Sequence, residues 1–412
     1  MSGDKGTLLD LVIVGGGLAG GLIALAVQRR APDCRFVVIE AGETFGGNHR
    51  WSWFATDLDD EGTELLDEFT LNRWNEGYEI AFPRYERQLQ TGYRSLSSDV
   101  FHERLVDILP PEAMRLATRV EDLDAGGVTL GDGTRIDARA VIDCRTFRPS
   151  KKLAGGWQVF LGQHIKCEEP HGLTRPVIMD ARVDQLAPHG NGSAYRFVYV
   201  LPLSEDEVFV EDTYYADQPR MDKSILRART QDYARRNGWR GEVIGEETGI
   251  LPVVTGGDFD AALDAQRIPG VAMAGTRGGF THPLTSYTLP FAARNAMVIA
   301  DRVAAETGAN GEELAALCEA RSDSHWHATG FYRMLGRMLF EAAQPGKRVD
   351  VFQHFYNLDG ALVERFYAAK SSWIDRLRIL TGRPPVAVPS AIRALLSRGT
   401  PFQSQPSKEN RA

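Results

Sequence analysis

Two short, unbroken apolar runs open the chain, Leu11-Val12-Ile13-Val14 and Phe36-Val37-Val38-Ile39. Runs of this length and composition are strands buried on both faces of a parallel sheet. The apolar stretch from Leu18 to Val27 between them predicts a helix. Ala140-Val141-Ile142 and Val271-Ala272-Met273-Ala274 are two more such strands, so the chain returns to its first sheet after a long excursion. Within that excursion, from Trp157 to Tyr215, the pattern turns to β. Tyr195–Leu201 and Val208–Thr213 read as strands around the turn Ser204–Glu207. Short strands are expected from Leu116 to Val141, a helix from Ile225 to Asn237 and another from about Leu289, with helices dominating from Gly311 to Ser397.

These elements predict an α/β fold in three parts. Residues 8–150 and 245–310 form a discontinuous Rossmann-like dinucleotide-binding domain. Residues 151–244 are an inserted β-sheet domain for the substrate, residues 311–398 a C-terminal helical region, and residues 399–412 a flexible tail. A chain of 412 residues is long enough for such a division.

The turn between the first strand and helix reads Gly15-Gly16-Gly17-Leu18-Ala19-Gly20. Gly15 permits the tight turn, Gly17 lets the backbone approach a pyrophosphate, and Gly20 lets the helix pack closely on the strand. The pyrophosphate then meets unpaired N–H groups at the helix start. Glu40 ends the second strand, where a carboxylate can accept hydrogen bonds from ribose hydroxyls. The further glycine pair Gly46-Gly47 is typical of FAD-binding rather than NAD-binding chains. The aromatic and polar segment from His49 to Trp53 is expected to be a loop beside the cofactor. Gly275, Gly278, Gly279 and the Thr285-Ser286-Tyr287 loop lie where backbone N–H groups at a helix start can face a flavin. FAD hydroxylases of similar layout have Gly-Asp-Ala there, and here Thr276-Arg277 takes its place.

Glu211 and Asp212 are adjacent on a strand and therefore point to opposite faces, one toward a cavity and the other toward the frame. A carboxyl in an apolar pocket holds its proton and can deliver it as an acid; at the end of a strand it could equally sit in solvent. The histidines are not spaced as metal ligands, and Ser286 has no base or nucleophile elbow near it, so neither a metal site nor serine chemistry is expected.

A net charge of −8 argues against a nucleic-acid partner. From Arg321 onward, however, basic residues outnumber acidic ones by 14 to 7. Two helical stripes in this region, Phe331–Leu339 and Trp373–Leu380, carry arginines alongside. They suit either core packing or an anionic membrane surface. No apolar run reaches the ~18 residues of a membrane span, and Met1–Asp10 holds no signal-peptide core. The four scattered cysteines read as reduced thiols of a cytosolic protein.

Taken together, the chain resembles the bacterial lycopene β-cyclases of carotenoid biosynthesis. The resemblance rests on Gly15–Gly20, Gly46-Gly47-Asn48-His49 with Trp51, Pro170–Leu173, Ile178–Ala181, Tyr195–Tyr199, Glu211-Asp212-Thr213, Phe331–Leu335, and Asp375–Leu380 before Pro384-Pro385-Val386. Cys144 departs from it, replacing the glycine usual between Asp143 and Arg145. The resemblance implies a redox-neutral cyclisation of lycopene ends to β-rings, with FAD active in its reduced form and NAD(P)H as electron donor. Glu211 would be the acid, Asp212 its support, and His49, Trp51 and His282 would line the substrate pocket. A peripheral enzyme at the inner face of the cytoplasmic membrane is expected, drawing lycopene from the bilayer, with other carotenoid-pathway enzymes as candidate partners. An FAD monooxygenase, a prenyl or carotenoid reductase, and a non-catalytic carotenoid carrier remain alternatives. Product mass separates the first two from a cyclase (heavier by an oxygen, heavier by two hydrogens, or unchanged), and turnover of lycopene would exclude the carrier.

Overall fold

The computed structural model describes residues 8–148, 150–185, 195–305, 308–381, 389, 393, 394, 396, 397 and 399–402. The tail 403–412 and the motif Pro384–Val386 lie outside the described residues.

The two opening apolar runs do form the centre of a parallel sheet. Its strand order is Val271–Met273, Val141–Asp143, Leu11–Val14, Phe36–Ile39 and Met114–Arg115. Val12 pairs with Val141 on one side and Val37 on the other, so the strand carrying the glycine turn is covered on both edges. One face packs on the helices Leu18–Arg30 and Leu289–Ala304 through Leu22, Leu25, Ala293 and Ala296. The other face packs on a small antiparallel sheet over residues 120–137. Burial on both faces is what demands unbroken apolar runs.

A seven-stranded sheet forms the second layer. Its order is Gly241–Gly257, Leu153–Cys167, Glu207–Ala216, Tyr195–Pro202, Val177–Asp180, Tyr78–Phe82 and Tyr85–Leu89. Its membership is wider than the 151–244 segment, since the two edge contributions come from residues 78–89 and 241–257. The strand containing Glu211 runs on to Ala216, which places the glutamate in mid-strand rather than at a strand end. The helix expected at Ile225–Asn237 begins two residues earlier, at Lys223, where Asp222 caps its first N–H groups. The segment after His49 is the strand Arg50–Phe54, paired with Tyr93–Ser97, and not a loop. Its polar members Arg50 and Ser52 look into a cavity, which is why its composition did not read as a strand.

The two amphipathic C-terminal stripes part company. Residues 331–339 pack on the second core: Tyr332 and Leu339 are buried, Phe331 and Leu335 are half-buried against it, and Arg333 stacks on the Trp326 ring with its carbon 3.5 Å from the centroid. Arg333 also donates to Thr329 Oγ1 at 2.8 Å. Trp373, Ile374, Leu377 and Leu380, by contrast, all stand exposed on the helix Trp373–Leu380. Of the expected flexible tail, residues 399–402 are ordered, and Phe402 is buried edge-on against Trp157 with Phe402 N donating to Leu153 O at 3.0 Å. No described helix is long and apolar enough to cross a membrane.

Candidate active site

Gly15 adopts φ +99°, which lets the chain turn from strand to helix without steric cost. A Cβ at Gly20 would lie 1.9 Å from the Gly15 carbonyl oxygen, so only glycine fits there. Around Gly17 the space is open: a Cβ would meet nothing within 4 Å. Gly17 caps the helix Leu18–Arg30 with no side chain, and the first turn contains no acid. The N–H groups of that turn therefore face open space with positive helix-dipole charge, a seat for an anion. Glu40 lies alongside, accepting from the Gly16 and Gly42 N–H groups at 2.7 Å each. Its carboxylate retains capacity for further donors. Gly46 and Gly47 both take positive φ, and Gly46 N donates to Gly16 O at 2.9 Å, which ties the second glycine pair to the first. The cradle fits a dinucleotide.

The cradle opens into a cavity of about 320 Å³ between the two layers. Gly17, Gly46, Gly275 and the loop Thr285-Ser286-Tyr287 line it from the parallel-sheet side. His49, Trp51, Phe209 and Glu211 line it from the second layer and the short strands. A second, mostly apolar cavity of about 310 Å³ adjoins it, with Leu251, Thr276 and Ser286 among the residues common to both walls. Tyr93, Tyr199 and Tyr287 add three phenols, all kept protonated by burial; the hydroxyls of Tyr93 and Tyr287 lie 3.0 Å apart. Aromatic faces around a dry space suit a cation.

Glu211 opens into this cavity. Burial, then the charge of Glu247, push its carboxyl up to about 8, against the Thr213 hydroxyl that donates to it at 2.6 Å. A carboxylic acid protonated at neutral pH is thus placed among aromatic rings. Asp212 points the other way. It is fully buried and takes a bidentate pair from Arg196, at 2.9 and 2.7 Å. The alternation of faces expected for this pair is what separates them.

Three placements differ from a simple reading of the sequence. His282 does not line the cavity: it is buried behind the loop, its Nε2 donating to Phe366 O at 3.1 Å and its Nδ1 accepting from Leu284 and Thr285 N–H. It shapes the loop instead of touching a ligand. Gly278 and Gly279 form the turn beside the cavity, with Gly279 on the wall of the second cavity. Arg277, in the place of the hydroxylases' Asp, pairs with Asp143 at 3.1 Å and faces away from the cradle. Arg50, Gln158, Phe160 and Glu247 also line the main cavity and were not anticipated. Glu247 lies on the strand Gly241–Gly257, whose glycines, threonines and single proline, Pro252, hide its β pattern. The only available signal was the Glu246-Glu247 doublet, which repeats the adjacent-acid motif of Glu211-Asp212. Among the described residues no group of three or more acids, histidines or cysteines could hold a metal ion.

A glycine-turn parallel sheet under a second sheet, with the cavity between them, is the mixed α/β architecture of the FAD-binding monooxygenases. A variant of HpxO from Klebsiella pneumoniae, solved with FAD, superposes with a TM-score of 0.55 at 15% identity, over 91% of this chain and 99% of its own. Within that architecture the family is defined by sequence: the profile of the lycopene cyclase protein family matches residues 10–393, and the chain belongs to this family of enzymes. Lycopene beta-cyclases from Pseudescherichia vulneris and Pantoea ananas are 42% and 39% identical over 94% of this chain, covering 97% and 98% of theirs.

Proposed function

We propose that this protein is a lycopene β-cyclase, closing the ψ-ends of lycopene to β-rings by way of γ-carotene to β-carotene without net redox change. The observation that carries the reading is Glu211, a carboxyl held protonated up to about 8 in an aromatic cavity beside the glycine cradle. The Glu211 carboxyl gives its proton to a terminal C=C of the substrate. The neighbouring C=C attacks the resulting cation and closes a six-membered ring, and a ring C–H then releases a proton. One proton enters and one leaves, so product and substrate have equal mass. The faces of Tyr93, Tyr199, Tyr287 and Phe209 hold the cation and exclude water. The adjoining apolar cavity gives the long polyene room beyond its reacting end.

The cradle Gly15, Gly17, Gly20, Glu40, Gly46 and Gly47, with Gly275 and the Thr285–Tyr287 loop, would hold FAD. In its reduced form FAD would supply negative charge beside the cation, and NAD(P)H would serve only as its reductant. Incubating the pure protein anaerobically with lycopene-loaded liposomes and dithionite-reduced FAD, without nicotinamide, should yield cyclic carotene of unchanged mass. Product with NADPH but none with dithionite would defeat the reading, and a mass gain would favour the monooxygenase or the reductase.

The substrate resides in a bilayer, so the protein must meet a membrane surface, taken here as the inner face of the cytoplasmic membrane. The exposed helix Trp373–Leu380 supports docking there. Trp373 is 74% and Leu377 54% exposed, with exposed Arg378 beside them. Apolar insertion and attraction to anionic lipid add in such a helix.

A further inference from the structure

Gly162, near the middle of the strand Leu153–Cys167, is paired with Glu211 on one neighbouring strand and with Glu247 on the other. Residues directly opposite in a sheet share a face, so both carboxylates rise on the cavity side. Two strand spacings put their backbones about 10 Å apart. The glycine between them has no side chain, and the Phe209 ring fills its place: a Cβ on Gly162 would lie 2.2 Å from that ring. Tyr199 extends the same row beyond Glu211. Glu247 is buried, and two neighbouring residues of the chain meet it: His49 Nδ1 lies 3.4 Å from its carboxylate, and the Arg50 guanidinium at the start of the short strand attracts it electrostatically. Arg50 is itself fixed by Asn72 and Ser95 at 3.1 and 3.3 Å. The adjacent Glu246 is taken by Arg227 and turned away.

We infer that Glu247 is a positioning residue for the acid: its anchored negative charge, facing Glu211 across Gly162, keeps the transferable proton on Glu211 between turnovers. The groups facing Glu211 are Glu247, the Thr213 hydroxyl and the Tyr93 and Tyr199 phenols of the cavity wall, with Asp212 on the opposite side of its own strand. Those facing Glu247 are His49, Arg50 and Glu211. Among the groups around Glu211, Glu247 is the charge on the cavity face, and it is the largest electrostatic influence raising the Glu211 pKa after burial itself. Glu211 is the donor; Glu247 acts through it. Once Glu211 has given its proton to the alkene, two carboxylates face one another, and the ring proton released in the last step is drawn back to this doubly negative face. The proton balance closes with no outside acid.

The role of Glu247 rests on the cyclase reading for its purpose but not for its test. Infrared spectra of the FAD-loaded protein, titrated from about pH 5 to 10, contain a protonated-carboxyl band identified as Glu211 by its loss in Glu211→Gln. In the parent it should vanish near pH 8. In Glu247→Gln, and in Glu247→Met, which removes the charge with different packing, the midpoint should move to lower pH by roughly one unit. Glu247→Asp should restore it. The alkaline limb of the cyclisation rate should move by the same amount. A Glu211 band whose midpoint is the same in all four proteins overturns the inference. A shifted band in a protein that does not cyclise lycopene leaves the inference standing and overturns the proposed function instead.

Discussion

At the scale of residues, the proposed acid, Glu211, is a destabilising group. Glu211 keeps its proton to about 8 in the folded state, whereas an unfolded glutamic acid ionises near 4.5. The folded state binds the extra proton between those values, so this residue is neutral to stability below pH 4.5 and costs stability increasingly as pH rises to 8. Glu211→Gln keeps the acceptor for Thr213 but cannot ionise. It should be more stable than the parent at pH 8, by on the order of 4 kcal/mol, and converge with it near pH 4. Calorimetry across pH checks this. The same variant should lose cyclisation by at least about 10²-fold while still binding FAD. Asp212→Asn should act differently, because it leaves the buried Arg196 guanidinium without its counter-charge; a stability loss of roughly 3 kcal/mol is expected, with activity falling only as far as the fold does. Strand alternation placed Glu211 and Asp212 on opposite faces from the sequence alone, but it did not say which of the two enters the cavity. His282 could not be placed, since a histidine that organises a loop and one that touches a ligand look alike without coordinates. Glu247 escaped notice because its neighbours carry no strand pattern of their own.

At the scale of elements, the strands of the parallel sheet were the most legible, since burial on both faces leaves only apolar residues. Cavity-lining elements were the least legible. Arg50–Phe54 and Gly241–Gly257 place polar or small residues toward the site, and that erases the alternation by which strands are recognised. Helical periodicity gave two arginine-flanked apolar stripes in the C-terminal region but could not say which faced inward. Tertiary packing decides it: Phe331–Leu339 packs on the second hydrophobic core, and among the described residues Trp373, Ile374, Leu377 and Leu380 stay exposed. Replacing Trp373, Ile374, Leu377 and Leu380 by serine should leave FAD content and melting temperature near the parent's. Sedimentation with anionic liposomes should fall, and the apparent KM for liposomal lycopene should rise. Equal sedimentation of variant and parent would place the docking surface elsewhere. Reversing Arg333 to Glu should instead unfold the C-terminal region, because that guanidinium is buried over Trp326.

At the scale of the whole molecule, the layers are stitched together by segments far apart in the chain. Residues 78–89 complete a sheet whose other strands lie between 153 and 257. Phe402 seals the start of the strand Leu153–Cys167, with Thr400 O also accepting from Gly155 N at 2.9 Å. Phe402→Ala should lower stability by about 3 kcal/mol or more, the usual cost of removing a buried phenylalanine, and a thermal melt reads it directly. That seal has a consequence for synthesis. The strand that holds Gly162 between two glutamates is made well before Phe402, the residue that seals its start. Contacts of such long sequence separation form late. The nascent chain can therefore assemble its nucleotide-binding sheet no earlier than Met273, and it leaves the start of the strand Leu153–Cys167 unsealed until Phe402 has been made.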